Sequence, residues 1–196
     1  MRHLPIPIVA AAALTAALVA ACGGDGADGA TTNTTAPPAP ATTVNVETFE
    51  RFTAPELGFS ISYPAQWTVA PSLGEGFVQF SAPLNTGGFT PNFNVTTGQV
   101  PDDVPFTVYY DGERAKLESN LPDVRILEEA NIVVDGVPGR GITLVTGQDG
   151  IDVGISRFIV TTGGQAWEVS FFAEARQLEE LAPLVTEIFQ SFAFAR

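Results

Sequence analysis

Most of the chain alternates between apolar and polar residues at the spacing of β-strands. Phe59, Ile61 and Tyr63 share one face of a stretch whose other face carries serines, which is typical of a half-buried strand. The same alternation returns at 92–100. Further apolar runs, separated by turn signals, predict strands at 49–52, 67–69, 76–82, 124–134, 137–146, 151–161 and 165–172. The last four strands follow one another as an antiparallel meander, with Gly139 and Gly141 breaking the second of them.

Two stretches have helical spacing instead. Between Pro105 and Leu121, at about 100° per residue, an arc of about 60° contains Phe106, Tyr110, Leu117 and Leu121. The last apolar stretch follows the same period and includes Leu178, Leu181, Val185, Ile188, Phe189 and Phe192. Pro183 predicts a break, with a short helix ending before Ala182 and a second helix beginning at the proline. The expected fold class is α+β, an antiparallel β-sheet packed between α-helices as an α/β/α sandwich.

The N-terminus has the pattern of a bacterial lipoprotein signal. Arg2 precedes an apolar run at 6–21 that is short for a membrane span, and the run ends at the chain's single cysteine, Cys22. An aliphatic residue and two small ones stand before that cysteine, as in a lipobox. We therefore predict a signal peptide at 1–21, cleavage between Ala21 and Cys22, and attachment of lipid to Cys22. Two or three acyl chains on one residue anchor a protein stably.

Composition divides the rest of the chain into a tether and a folded domain. The stretch 22–47 contains Gly, Ala, Thr and Pro but no aromatic residue, so it cannot bury enough apolar surface to fold, and we expect it to be disordered. Aromatic residues begin at Phe49. The folded domain is therefore predicted at 48–196, which is long enough to build one hydrophobic core.

The charge balance limits the partners. Loss of Arg2 with the signal leaves eight basic residues against 22 acidic ones, a side-chain charge of −14. Such a surface does not bind nucleic acid and is repelled by anionic lipid headgroups. Membrane attachment is therefore expected only through the lipid on Cys22, which locates the domain at the outer face of the bacterial cytoplasmic membrane, in the cell envelope. The expected partner is an envelope protein, lipid or glycan.

The residues of common catalytic and metal sites are missing from the mature sequence. His3, the only histidine, lies in the predicted signal segment, and the single cysteine, Cys22, is expected to be acylated. No His-dependent triad or His and Cys metal site remains, and no cofactor is expected. The acidic pairs Asp102-Asp103, Glu128-Glu129 and Glu179-Glu180 are interpreted as solvated surface residues, because neighbours in a strand or helix point apart. The protein is not expected to be an enzyme.

A few aromatic residues and one loop are candidates for binding. Tyr63, Trp67 and Trp167 could line a sugar or lipid site, but aromatic residues on the apolar face of a strand more often belong to the core. The stretch from Asn85 to Pro91 has no periodicity and reads as a loop. Asn85 and Phe89 of this loop are the candidate contacts to a partner or ligand.

Two segments resemble a known family. The run LGFSISYPAQW at 57–67 is similar to the "GFSIxYPxxW" opening of PsbP-like and LpqN-like domains, and the end, Pro183 with IFQSF at 188–192, resembles their terminal helix. The resemblance covers about 49–196. It implies the Mog1/PsbP fold, an antiparallel sheet between helices, and a role in binding or assembly. The composition, with one lysine against eight arginines and abundant Ala, Gly, Thr and Pro, indicates a GC-rich genome and therefore an actinobacterial source.

Three functions remain open from the sequence. The first is a lipid-anchored envelope module that binds or assembles other components without catalytic chemistry. The second is a binding protein for an envelope lipid or glycan, which would require an apolar cavity lined by aromatic residues. The third is a hydrolase that uses carboxylates, which would require two of them to converge in a cleft. A packed core with an exposed apolar patch would favour the first.

Overall fold

The computed structural model describes residues 48–71, 76–84, 88–148 and 150–195. The predicted signal, the lipid attachment site at Cys22 and the tether lie outside these residues. The described chain forms ten strands and two α-helices: β1 Phe49–Ala54, β2 Phe59–Pro64, β3 Thr68–Pro71, β4 Phe77–Ser81, β5 Asn92–Gln99, α1 Phe106–Asn120, β6 Arg125–Val134, β7 Val137–Gln148, β8 Ile151–Thr162, β9 Gln165–Glu174, α2 Leu178–Gln190 and β10 Ala193–Phe194. The strands predicted from alternation and the helix after Pro105 are confirmed, with boundaries shifted by a few residues.

The strands form two antiparallel sheets. The larger sheet has seven strands in the order β3-β4-β5-β9-β8-β7-β6, and the smaller has three in the order β1-β2-β10. Strands β6 to β9 are successive neighbours, so the predicted meander is confirmed. The β6–β7 turn contains Asp135 and Gly136 with φ of 46° and 84°. Positive φ at both central residues matches the right-handed twist of the strands, and Asp-Gly is a favoured pair there.

The two faces of the large sheet are covered by different elements. On one face, Leu117 of α1 packs on Ile142 and Leu144 of β7 and on Val153 and Ile155 of β8. On the other face, α2 and the small sheet cover alternate residues of β8 and β9, among them Phe158, Trp167, Val169 and Phe171. The expected α+β fold, a sheet between helices, is confirmed. We call the two sides the α1 face and the α2 face.

The main core lies on the α2 face and is rich in aromatic residues. Phe80 and Phe93 stack with ring centroids 4.3 Å apart, and Phe52 of the small sheet meets Phe80 edge-on at 5.4 Å. Trp167 donates its indole N–H to the carbonyl of Leu57, in the turn between β1 and β2, at 3.0 Å, which links β9 to the connection within the small sheet. Because Trp67 and Trp167 are each only 4% exposed, their interpretation as core residues is confirmed.

The predicted break at Pro183 is wrong. One continuous helix, α2, runs from Leu178 to Gln190 with Pro183 inside it, preceded by a short 3₁₀ turn. The missing N–H leaves the Glu179 carbonyl without its helical donor, but Pro183 is exposed, so water can reach that side of the helix. The opposite side buries Leu181, Val185 and Ile188, and this burial holds the helix together across the proline.

The expected break of β7 at its glycines is also wrong, since β7 continues through both. At Gly139, an added Cβ would lie 2.6 Å from the backbone oxygen of Ile159, so the neighbouring strand approaches too closely for any side chain. Gly141 has more room, with its nearest side-chain atom, Cγ2 of Ile132, 3.4 Å from an ideal Cβ. Glycine at 139 permits close packing of strands, and glycine at 141 leaves space above the sheet.

Candidate functional site

An open groove lies on the α2 face, between α2 and the strands β6 and β7. Its volume is about 510 Å³. The strand wall includes Leu127, Ala130 and Ile132 of β6, the floor includes Gly141 and Phe158, and the helix wall includes Leu178, Ala182, Val185 and Phe189. The size falls within the range of about 300–1,000 Å³ typical of ligand sites, and the lining is mainly apolar.

Small residues and the position of α2 create this groove. Gly141 of β7 lies between Ala130 of β6 and Phe158 of β8 in the register of the sheet. The absence of a side chain at Gly141 and the single methyl group of Ala130 lower the floor. The helix packs over β8 and β9, where Phe189 meets Phe158 edge-on at 5.0 Å, and does not extend over β6. The sheet is therefore wider than the layer that covers it on this side.

Polar groups are few in the groove. The hydroxyls of Thr143 on β7 and Ser156 on the neighbouring strand β8 lie 3.5 Å apart. Thr186 donates its hydroxyl to the Ala182 carbonyl at 2.8 Å, so this hydrogen-bond donor is already used. The two acidic side chains of the lining, Glu128 on β6 and Glu179 on α2, are both exposed. An occupant would therefore meet an apolar floor and a negatively charged rim.

The two members of the acidic pair Glu128-Glu129 point to opposite faces of the sheet, as expected for neighbours in a strand. In the β6 register, Glu128 lies on the α2 face with the groove, whereas Glu129 lies on the α1 face. There Glu129 accepts hydrogen bonds from Arg114 Nε at 2.6 Å and from the Tyr110 hydroxyl at 3.3 Å. Glu129 thus helps to hold α1 on the sheet, while Glu128 is available to a ligand.

A partly buried polar network lies on the α1 face. Glu168 of β9 accepts a hydrogen bond from the Tyr109 hydroxyl at 3.2 Å and pairs with Arg157 Nη1 at 3.1 Å, and Arg157 Nε donates to Ser170 Oγ at 2.7 Å. Burial is the main cause that raises the pKa of Glu168, Arg157 opposes the rise, and Glu113 adds to it. Burial, with the charge of Glu168, raises the pKa of the Tyr109 hydroxyl as well.

This network is better explained by packing than by catalysis. Both oxygens of the Glu168 carboxylate have partners, one on α1 and one on β8. A carboxylate held on both oxygens, by a guanidinium and a phenol, lacks the free oxygen with which a nucleophile or general base would reach a substrate. The network therefore fixes α1 to the sheet, and the geometry gives no support to the hydrolase hypothesis.

The described end of the predicted loop, at Phe89, is held in place by contacts with the rest of the domain. Phe89 is half-buried against the α1-face cluster, and its N–H donates to Glu174 Oε1 at 3.2 Å. Arg176 Nε donates to the other oxygen of Glu174 at 2.6 Å. Asn85 lies outside the described residues. A role of Asn85 and Phe89 in binding stays a prediction, but the structure places the ring of Phe89 against the protein rather than in solvent.

Neither a metal centre nor a membrane span is found in the described part of the chain. Within it, no three or more His, Cys, Asp or Glu side chains are grouped closely enough to ligate a metal ion. None of the described helices has the length and hydropathy needed to cross a bilayer. The site residues Ala21 and Cys22 lie outside this part of the chain, so their predicted processing and acylation stay predictions.

Sequence reasoning missed the groove, the partly buried Glu168 and the loop anchor Glu174. A groove depends on where a helix ends relative to a strand, and no local pattern reports this. The pair Gly139 and Gly141 carried a usable signal, because glycine inside a strand also marks a place where something approaches the backbone closely. That signal was interpreted as a break in the strand.

Comparison with known proteins supports the fold. No family model matches the chain, and no curated protein matches it. Among solved structures, cyanobacterial PsbP (CyanoP) from Synechocystis sp. PCC 6803 matches with a TM-score of 0.58 at 15% identity, over 81% of this chain and 99% of that one. LpqN of Mycobacterium tuberculosis, described as involved in cell envelope biogenesis, matches with a TM-score of 0.58 at 13% identity, over 76% and 92%.

A mutant of Mog1 matches as well, with a TM-score of 0.56 at 10% identity, over 76% of this chain and 96% of the other. Three proteins at such low identity share an architecture and not a demonstrated activity. The PsbP/Mog1-like fold suggested by the opening and closing motifs is confirmed.

Proposed function

We infer that this chain is a lipid-anchored binding module of the bacterial cell envelope, without catalytic chemistry of its own, and that the groove beside α2 is its binding site. The observation that carries the proposal is the incomplete cover of the α2 face, where an apolar surface of the sheet stays open beside a helix. One of its structural neighbours is LpqN, whose description links that protein to envelope biogenesis.

The sequence supports the anchor and the location. The run that ends in Val19-Ala20-Ala21-Cys22 has the order of a lipobox, and the mature chain carries a side-chain charge of −14. A domain with this charge does not adsorb to anionic lipid through its surface, so acyl chains on Cys22 would hold it at the membrane. A tether of about 25 residues would then let the domain reach its partner from an anchored position.

The anchor has a direct test. Replacement of Cys22 by Ala removes the acylated residue and should move the protein from the detergent phase to the aqueous phase when membranes are partitioned. The matched control is Ser119→Ala, a change on the exposed side of α1, which should leave the partition unchanged. Full retention of the Cys22→Ala variant in the detergent phase would refute lipid anchoring.

The groove is tested by photo-crosslinking in living cells. A benzophenone amino acid at Thr186 places the reactive group on the helix wall of the groove, and the same amino acid at Ser119 serves as the control on α1. We expect a discrete adduct from position 186, absent from position 119. The same adducts from both positions, or none from position 186, would remove the groove from the proposal.

A second candidate function follows from the apolar floor of the groove. A volume of about 510 Å³ lined by Phe158, Phe189 and aliphatic residues also suits one apolar chain of an envelope lipid or glycolipid. Mass spectrometry of the Thr186 adduct separates the two functions. A mass increase of a lipid would support this second candidate, whereas a protein or peptide would support a module that binds another envelope protein.

A further inference from the structure

The two edges of the large sheet differ in length and in exposure. At one edge, β3 has four residues, whereas β6 at the other edge has ten. The outer side of β6 pairs with no other strand in the described part of the chain. Leu127 and Val133 of this strand are 57% and 71% exposed. A long edge strand with exposed apolar residues is a template on which another strand can pair.

The groove lies directly beside this edge. Glu128, Ala130 and Ile132 of β6 point to the α2 face, because alternate residues of a strand share a face. A strand added at about 4.8 Å from β6 would place its own alternate side chains on that face, next to these residues and opposite the helix wall. Backbone pairing and the groove can therefore be used by one extended segment.

The charges around the groove specify the chemistry of that segment. On the α1 face of β6, Glu129 accepts a hydrogen bond from Arg114, and Asn131 accepts one from Arg140. On the groove side, no ion pair involves Glu128 or Glu179 among the described residues. A cation directly opposite Glu128 would be a favourable cross-strand neighbour, and apolar residues two positions further would meet Ala130 and Ile132.

The same charges argue against two other occupants. A second copy of this chain would bring another net charge of −13 or more to an already acidic rim. The chain's own stretch 22–47 carries Asp25, Asp28 and Glu47 and no Lys or Arg, so it has nothing to pair with Glu128 or Glu179. Repulsion between like charges disfavours both of them relative to a basic partner.

We propose that the edge strand β6 and the groove beside it bind an extended, basic segment of another envelope protein, which adds to the sheet as an eighth strand. Lys or Arg of that segment pairs with Glu128 and Glu179, and its alternate apolar side chains lie beside Ala130 and Ile132 at the outer side of the groove. This inference rests on the proposed binding function and names the chemistry of the partner at that site.

The test uses the full lipidated chain in phosphatidylcholine nanodiscs and a fluorescent peptide as long as the ten residues of β6. Lys and Val alternate along one face of the peptide, and Thr occupies the other. Fluorescence anisotropy should show saturable binding. A peptide with Glu in place of each Lys should bind at least about tenfold more weakly, because it meets Glu128 and Glu179 with like charge.

Backbone pairing is tested separately from charge. Two further peptides carry N-methyl groups at alternate residues, one set on each edge of the peptide strand. One set blocks the edge that faces β6 and should weaken binding by about tenfold or more, since several hydrogen bonds are lost. The other set faces solvent and should leave binding within about twofold. Equal binding of both methylated peptides would overturn strand addition.

Two matched double variants locate the site. Glu128→Lys with Glu179→Lys should weaken binding by about tenfold. Asp111→Lys with Glu187→Lys changes the net charge equally at exposed positions outside the groove lining and should have little effect. Equal losses in both would overturn the proposal in favour of general attraction to an acidic protein. All four positions are exposed, and thermal melts confirm that the variants fold.

Failure of this inference is distinguishable from failure of the proposed function. If Thr186 yields its adduct in cells but the peptides do not bind as described, the groove binds a partner of another kind and strand addition is wrong. If the adduct is a lipid, the groove belongs to the second candidate function. If neither experiment finds an occupant, the binding role of the groove is itself refuted.

Discussion

The two ends of the α2 face differ in how completely α2 and the small sheet cover the large sheet. At the end formed by β3, β4 and β5, the small sheet lies over Phe80 and Phe93, which are 0% exposed. At the end formed by β6 and β7, the cover stops at α2, and Leu127 stays 57% exposed beside the groove. We call these the closed end and the open end.

Stability and binding depend on different ends of the same sheet. Burial of large aromatic side chains supplies most of the stabilisation available without disulfides, and this burial is concentrated at the closed end. The open end keeps apolar surface in contact with water, which lowers the free energy of unfolding but leaves a surface for a partner. Substitutions at the closed end should therefore change stability, and those at the open end should change binding.

The largest effect is expected from Phe80→Ala at the closed end. Phe80 stacks on Phe93 and contacts Phe52 and Tyr63, so its removal leaves a cavity in the aromatic core. We expect the free energy of unfolding to fall by about 3–5 kcal/mol, measured by urea titration. Leu127→Ala at the open end is the control, with an expected change below about 0.5 kcal/mol. Similar losses in the two variants would contradict the division into two ends.

A smaller effect is expected where the two sheets are joined. Trp167→Phe removes the hydrogen bond to the Leu57 carbonyl and part of a buried ring, and should lower the free energy of unfolding by about 1–3 kcal/mol. The control is Trp67→Phe, since the Trp67 indole N–H has no hydrogen-bond partner in the described structure. Trp167→Phe should lower the free energy of unfolding by about 0.5–1.5 kcal/mol more than Trp67→Phe does. An equal or greater loss for Trp67→Phe would show that this bond does not stabilise the joint.

A third prediction uses pH and the opposite face of the sheet. The pKa of Glu168 is raised from 4.5, chiefly by burial and against the attraction of Arg157. A carboxyl with a raised pKa in the folded protein stabilises it fully below the unfolded pKa and loses this contribution as pH rises through the folded pKa. Relative to Glu168→Gln, the wild type should therefore lose stability as pH rises above about 4.5.

Urea titrations of the wild type and Glu168→Gln over a pH series test this sign. Arg157, Tyr109 and Lys116 oppose the effect of burial on the pKa of Glu168. The change in the free energy of unfolding with pH should therefore be smaller than the loss caused by Trp167→Phe. If the wild type instead gained stability relative to Glu168→Gln over the same pH rise, the attraction of Arg157, and not burial, would determine the pKa of Glu168.

The smallest change in stability is expected at the floor of the groove. Gly141→Val has room for its Cβ, with the nearest atom 3.4 Å away, so the free energy of unfolding should change by less than about 1 kcal/mol. Its side chain fills the floor and should weaken binding of the basic peptide. Gly98→Val is the matched control, in strand β5 with no atom within 4 Å of an added Cβ. Equal peptide binding by the two variants would move the binding site away from Gly141.

The closed end could be predicted from the sequence, and the open end could not. Alternation of Phe59, Ile61 and Tyr63 reports which side of a strand is buried, and this information is local. The groove depends on how far α2 reaches across the sheet, which is set by contacts such as Phe189 on Phe158, 31 positions apart in the chain. One of the two partners of Glu168, Tyr109, likewise comes from α1, and no period in the sequence joins these two residues.

Pro183 and Gly141 show why local rules failed at this end. Each residue weakens its element in isolation, by removal of a hydrogen bond or of a side chain. In the folded protein, the buried side of α2 and the pairing of β7 with two neighbouring strands outweigh those local losses. At both positions, tertiary contacts outweigh the local preference of the residue, and Gly141 lines the groove.

The most direct measurement is amide hydrogen exchange of the protein in native membranes, compared with the same protein purified into nanodiscs. If the open end binds an extended segment in the envelope, backbone amides of β6 should exchange more slowly in native membranes, while those of β3 at the opposite edge keep the same rate. Equal exchange of β6 in the two preparations would contradict a partner strand on this edge.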